Sequence, residues 1–356
     1  MSIYFSKSLA TLKPYVPGEQ PQGRKFIKLN TNESPYPPSP AVINAVNQKE
    51  VTDLRLYSDP DLKALVNAIA DNYAVPAECV FCGNGSDEVL SFAFLAWGKD
   101  NGVAYPDISY GFYPVFASLY ELDSSVVPLE EDLSLDISKF YGNGRMTVFA
   151  NPNAPTGLCV SVDEIKSLAK ANKDNVVIVD EAYVDFGSES ALPLIFELDN
   201  VLVVRTFSKS RQLAGGRLGY AFGNPELIND LNRVKFSFNP YNVNRLTSVA
   251  GIAAINDDQY FNLCVNKIIS TRTRLMEELQ KLGFFVTDSH ANFIFASHHD
   301  ISGKDYYEKL REKGILVRHF SVPRIENYVR ITIGSDIETD ALIASTKAIL
   351  QEVNSK

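Results

Sequence analysis

Apolar and polar positions change period several times along the chain, and each change marks an element. Leu62, Leu65, Val66 and Ile69 recur at helical spacing, and a second helix is predicted from Val89 and Leu90, directly after the loop GNGSDE. Three short runs rich in β-branched or aromatic residues follow, Met146 to Ala150, Val176 to Val179 and Val201 to Thr206, and each reads as a strand. Between the first two lies SVDEIKSLAKANKD, where Ser161 is the predicted N-cap, Glu164 sits three residues on, and Ile165, Leu168 and Ala169 form one apolar face. Strand, helix and strand at this spacing predict parallel pairing through right-handed crossovers. After Asn239-Pro-Tyr241 the pattern is mostly helical to about Leu282; FFVTDSHANFIFA then reads as paired strands, Tyr328 to Ile333 as a further strand, and the chain closes on a helix.

Ahead of all this, Pro14, Pro17, Pro21, Pro35, Pro37, Pro38 and Pro40 punctuate the first forty residues, removing amide donors and holding the backbone extended. The expected organisation is a proline-rich arm over 1–40, a large domain over 41–240 and a small α+β domain over 241–356. The fold class is α/β, with a mostly parallel sheet carrying helices on both faces.

Composition narrows the function. The 356 residues suit two domains of ordinary size, and 45% hydrophobic with 22% charged residues excludes a disordered chain. With 43 acidic against 34 basic residues the net charge is -9, which disfavours a nucleic-acid surface while leaving room for a local cationic pocket. The longest nearly apolar stretch, Val89 to Trp97, is about half of a membrane span, and the opening MSIYFSKSLATLKPY lacks the apolar run of a signal peptide, so a cytoplasmic protein is expected. Cys79 and Cys82 flank apolar residues and read as buried thiols; with Cys159, Cys264 and the four late histidines they form no metal-ligand spacing, and no metal is expected.

In a parallel sheet the chemistry gathers beyond the carboxyl ends of the strands. There stand Asp180 and Tyr183 after one run, and Lys209 and Arg217 after the next. Singly, a turn aspartate, a packed tyrosine and a solvated lysine each have a structural explanation. Together they fit pyridoxal 5'-phosphate, which needs a lysine for its Schiff base, a carboxylate for its ring nitrogen and a donor for its phenolic oxygen. A phosphate cradle is offered by Gly83-Asn-Gly-Ser-Asp87 at a helix start, backed by Ser208 and Arg217.

The succession GNGSDE, YPDISYGFY, NPNAPTG, DEAYVDF, TFSKSRQLAGGRLGY and VRITIG resembles the class II aminotransferases of pyridoxal-phosphate fold type I over nearly the whole chain, and LKPYVPG, LNTNESPY, KFSFNPYNVN and GILVR tilt it toward their histidine-pathway subgroup. The resemblance implies that Lys209 bonds the cofactor, Asp180 pairs with its ring nitrogen, Tyr183 bonds the phenolic oxygen and Tyr110 stacks on the ring. The loop Gly85, Ser86 and Asp87, with Thr206, Ser208 and Arg217, would cup the phosphate. Tyr57 would reach the cofactor of a partner subunit, implying a homodimer with shared sites. Tyr15, Arg318 and Arg330 would meet the substrate anion, with the arm closing over it. The implied reaction passes an amino group between glutamate/2-oxoglutarate and histidinol phosphate/imidazole-acetol phosphate, in ping-pong order. An aromatic amino acid aminotransferase and a threonine-phosphate decarboxylase share the frame, and a cofactor-binding regulator would need a DNA-binding domain for which there is no room. One departure stands out: where the family carries Asn before Pro-Thr-Gly, this chain has Ala154, so that either Asn153 takes over through a shift of the turn or Tyr183 and water suffice, and Asn153 is the expected choice.

Overall fold

The computed structural model describes residues 2, 4–21, 23 and 25–355. Its centre is a seven-stranded sheet in the order Val80–Gly83, Gly219–Gly223, Val201–Thr206, Val177–Asp180, Met146–Ala150, Val103–Pro106, Ser124–Val127. The last five pair in parallel, and Gly219–Gly223 runs antiparallel to both of its neighbours. The three runs legible as strands lie side by side in its middle. They read as unbroken apolar runs because both faces are covered. Val177, Val179, Val201 and Val203 enter one core with Leu65 and Ile69 of the helix Lys63–Tyr73 and with Ile165 and Leu168 of the helix Val162–Ala171. The alternate positions Ile178, Leu202 and Val204 enter the opposite core, against Val89, Leu90 and Phe94 of the helix Ser86–Asn101 and Ile228 and Leu231 of the helix Pro225–Phe238. The predicted capping box forms: Glu164 N donates to Ser161 Oγ at 3.3 Å, and Ser161 N donates to Glu164 Oε2 at 3.0 Å.

The C-terminal part builds a second layer. A four-stranded antiparallel sheet in the order Arg318–His319, Tyr328–Thr332, Phe293–Ser297, Phe285–Val286 packs against the helices Asp258–Lys281 and Asp336–Asn354, with Ile268, Leu275, Phe293, Ile331 and Leu342 in one core. The mostly helical stretch to about Leu282 consists of two helices, Arg245–Ile255 and Asp258–Lys281, because Asn256 ends one and Asp257 caps the next. One pairing was not anticipated. Ile27–Lys28 joins Ile315–Leu316 in parallel, and Leu29 enters the C-terminal core, so the chain after the proline-rich start is anchored across the molecule. That anchor carries residues 30 to 33 over the carboxyl ends of the central strands.

Candidate active site

Two adjoining cavities open at those carboxyl ends. An inner one of about 330 Å³ and an outer one of about 700 Å³ share a wall made by Thr31, Tyr110, Ala154, Tyr183 and Lys209. The inner cavity is lined by Ser86, Asp87, Tyr110, Asp180, Tyr183, Thr206, Ser208, Lys209 and Arg217, so nine of the sequence-predicted residues meet there. The outer cavity takes Tyr15, Arg318 and Arg330.

Asp180 ends its strand fully inside the protein. Its Oδ2 accepts from Tyr113 Oη at 2.9 Å, and its Oδ1 accepts from the Ala182 amide at 3.2 Å. Burial pushes its carboxyl up to about 6 despite these two donors; no cation is among its strongest influences, while Asp87 and Glu181 add further upward pressure. Such a carboxylate fits a site that receives a cationic group. Tyr113, its donor, was missed in the sequence: YPDISYGFY contains several tyrosines and nothing in their order says which one turns inward.

At the other end the helix Ser86–Asn101 begins without a side-chain cap, so its first amides face the cavity. Gly85 at φ 81° sits beneath Arg217, and a Cβ there would come within 2.6 Å of Arg217 Nη2. Gly219 is constrained more tightly still, since its Cβ would lie 2.2 Å from the Ser86 amide nitrogen, a backbone atom. This close approach brings Arg217 against Asp87, whose Oδ2 accepts from Nη2 at 3.0 Å and whose Oδ1 accepts from Tyr110 Oη at 2.6 Å. Thr206 Oγ1 accepts from the Ser208 amide at 3.1 Å, holding the turn that leads to Lys209. Lys209 Nζ donates to Thr31 O at 3.4 Å and lies 5.7 Å from the centre of the Tyr183 ring.

In the outer cavity Arg330 Nη2 donates to Asn30 O at 3.2 Å, and the guanidinium lies 5.3 Å from the Phe293 ring and 5.7 Å from that of Phe320. Its Nε is buried without a partner, and burial lowers its pKa. Arg318 donates to Val16 O and Pro17 O at 3.2 and 3.4 Å, fastening the arm, while Tyr15 stacks on Phe112 at 4.4 Å.

Two expected residues lie elsewhere. Tyr57 is exposed and stacked on Tyr241 at 4.5 Å, and it lines neither cavity. Asn153 also lines neither, which corrects the expectation that its amide replaces the one missing at Ala154. Its Nδ2 donates to Ile108 O and Thr156 Oγ1 at 3.0 and 3.1 Å, and its Oδ1 accepts from Ser109 Oγ at 2.8 Å, so both amide protons are engaged by its own turn and the neighbouring 108–109 loop. An amide does reach Tyr183, from an unforeseen place: Asn32 Nδ2 donates to Tyr183 Oη at 2.9 Å.

Residues 24–345 match the family described as aminotransferase class I and II. The chain belongs to that family. Within it, a protein of Brachyspira hyodysenteriae named histidinol-phosphate aminotransferase is 48% identical over 353 residues, 99% of this chain and 100% of the relative. One of the same name from Clostridium botulinum is 49% identical, again over 99% of this chain and 100% of the relative. The fold matches that of the Sinorhizobium meliloti histidinol-phosphate aminotransferase solved with pyridoxal-5'-phosphate, with a TM-score of 0.88 at 23% identity and 99% of each chain covered. As an aminotransferase of this family the chain uses pyridoxal phosphate, and the inner cavity fits it: an unpaired buried carboxylate at one end, an uncapped helix start with an arginine at the other, and a lysine amine between them.

Proposed function

We propose that this aminotransferase interconverts histidinol phosphate plus 2-oxoglutarate and imidazole-acetol phosphate plus glutamate. The observation that carries this reading is the 48% identity to a named histidinol-phosphate aminotransferase over 99% of the chain. Pyridoxal phosphate, when bound, supplies the carbonyl that takes up the amino group and the ring that accepts electrons.

The protein's own groups do the rest. Asp180, ionised beside a cationic ring nitrogen, keeps that nitrogen protonated. Ser86, Asp87, Thr206, Ser208 and Arg217 hold the phosphate end, Tyr110 covers the ring, and Tyr183 gives a hydrogen bond to the phenolic oxygen. Lys209 Nζ would hold the cofactor and, as a free amine, would take the proton from the substrate carbon that bears nitrogen. Arg330 meets the anion of either substrate, since carboxylate and phosphate each accept a bidentate pair. Its half-buried guanidinium with an unpartnered Nε supports that role. Tyr15 and the arm held by Arg318 exclude water from that end.

The working unit is a homodimer in which Tyr57 reaches the partner's cofactor phosphate; its exposure and its distance from the cavities of its own chain support this. A cytoplasmic location belongs to the same reading, and among the described residues no helix is long and apolar enough to cross a membrane.

The test is a set of single-turnover half-reactions with histidinol phosphate, phenylalanine and threonine phosphate, followed by cofactor absorbance. Histidinol phosphate is expected to react fastest. Arg318→Ala slows that half-reaction roughly tenfold to a hundredfold, the worth of one charge-assisted hydrogen bond, and Arg330→Ala slows the glutamate half-reaction as well. Wild-type rates with histidinol phosphate in both variants, together with phenylalanine as the better donor in the parent, would replace this reading with an aromatic aminotransferase.

A further inference from the structure

A tyrosine hydroxyl can give or take a hydrogen bond, and only a giver stabilises a cofactor phenolate. Nothing in the Tyr183 side chain itself decides which it does. The loop that supplies an amide in related enzymes cannot decide it either, because Ala154 has no polar side-chain atom and the Asn153 amide is engaged by Thr156 of its own turn and by Ile108 and Ser109 of a neighbouring loop.

Asn32 stands in a position to decide. It is buried, its backbone is left-handed at φ 56°, a conformation that asparagine tolerates better than most residues, and every polar group it carries towards the site is partnered. Its backbone N donates to Thr332 Oγ1 at 2.9 Å, and its carbonyl accepts from Asn292 Nδ2 at 3.0 Å. Thr332 Oγ1, having accepted from that amide, donates its own proton to Asn32 Oδ1 at 3.0 Å. With Oδ1 turned to Thr332, Nδ2 faces Tyr183 Oη. The reverse orientation of the amide would put a donor against Thr332 and leave that buried hydroxyl proton without an acceptor, a cost that selects the orientation described. The phenolic oxygen of Tyr183 is therefore an acceptor towards Asn32, and its proton is left for the cavity.

We propose that Asn32 is a positioning residue that fixes the polarity of the Tyr183 hydroxyl, making it a permanent donor into the inner cavity and standing in for the amide absent at Ala154. This rests on the reading of the inner cavity as the pyridoxal-phosphate site. The β-pairing of Ile27–Lys28 with Ile315–Leu316 and the Thr332 contact tie Asn32 to the C-terminal layer, so the device also couples the seating of residues 30 to 33 to the chemistry at Tyr183.

The experiment is a pH titration of the holoenzyme's visible absorbance, which reports how strongly the phenolic oxygen is stabilised as an anion. Asn32→Gly keeps the left-handed backbone and removes the amide; Asn32→Asp keeps an acceptor for Thr332 and removes the donor. Both are expected to raise the absorbance pKa by about half a unit to one unit, and Tyr183→Phe to raise it at least as far. In the Tyr183→Phe background, Asn32→Gly should add nothing, whereas a residue that merely supports the fold would lower the melting temperature and leave the titration where it was. If Tyr183→Phe moves the titration and the folded Asn32 variants do not, the proposal is overturned and the cofactor reading stands. If Tyr183→Phe leaves the titration unmoved, the role given to Tyr183 falls and the proposal falls with it.

Discussion

Asp180→Asn should stabilise the cofactor-free protein at neutral pH while weakening its hold on the cofactor. In the folded chain Asp180 is pushed up to about 6 from an ordinary 3.8, with burial as the leading cause. A carboxyl whose folded pKa lies above its unfolded one makes the native state bind the extra proton, so stability is lost as pH rises. Below about pH 4 both states are protonated and the site costs nothing; through the window from about pH 4 to pH 7 the cost grows to roughly 3 kcal/mol, two pKa units at 1.36 kcal/mol each. Asparagine removes this ionisation. It also turns an NH₂ towards either Tyr113 or the Ala182 amide, and the imperfect hydrogen bond that results takes back about 1 kcal/mol. The expected net gain for the variant is about 2 kcal/mol at pH 8, vanishing or reversing at pH 4.5. Urea unfolding of the cofactor-free parent and variant across that range measures it directly. A difference that does not change with pH would refute the reasoning, because it would mean that Asp180 ionises in the apoprotein at its ordinary value and is not waiting for a cation.

Two further outcomes follow from the site. Gly85→Ala places a Cβ 2.6 Å from Arg217 Nη2 at a left-handed position, so Arg217 must leave Asp87; cofactor affinity should fall at least tenfold by fluorescence titration, and an unchanged Kd would show that Arg217 holds no phosphate. Mixing inactive Lys209→Ala with inactive Tyr57→Ala protein should restore activity in exchanged hybrids, since each hybrid has one site with both lesions and one with neither; no recovery in demonstrably mixed dimers would place Tyr57 outside the partner's site.

Much of the fold was legible because its signals are local. Parallel strands buried on both faces must be continuously apolar, which exposed Met146–Ala150 and Val201–Thr206, and a capping box needs only Ser161 and Glu164 three residues apart. The site was legible for the same reason: strand ends converge, so the positions of Asp180, Lys209 and Arg217 just after apolar runs group them, and the family motifs point to the chemistry. What only the tertiary structure decided are the pairings between distant segments of polar groups whose local context looks ordinary. Asn153 appeared free to serve the cofactor until the fold set Ser109, Ile108 and Thr156 around it. Tyr113 became the donor to Asp180 only through a contact spanning 67 positions, and Asn32 the partner of Tyr183 across 151. Side-chain amides and hydroxyls carry no period and bury little apolar area, so no pattern along the chain announces their partners. Their choices are made last, by which hydrogen bonds remain to be satisfied once the apolar cores have brought the backbone together.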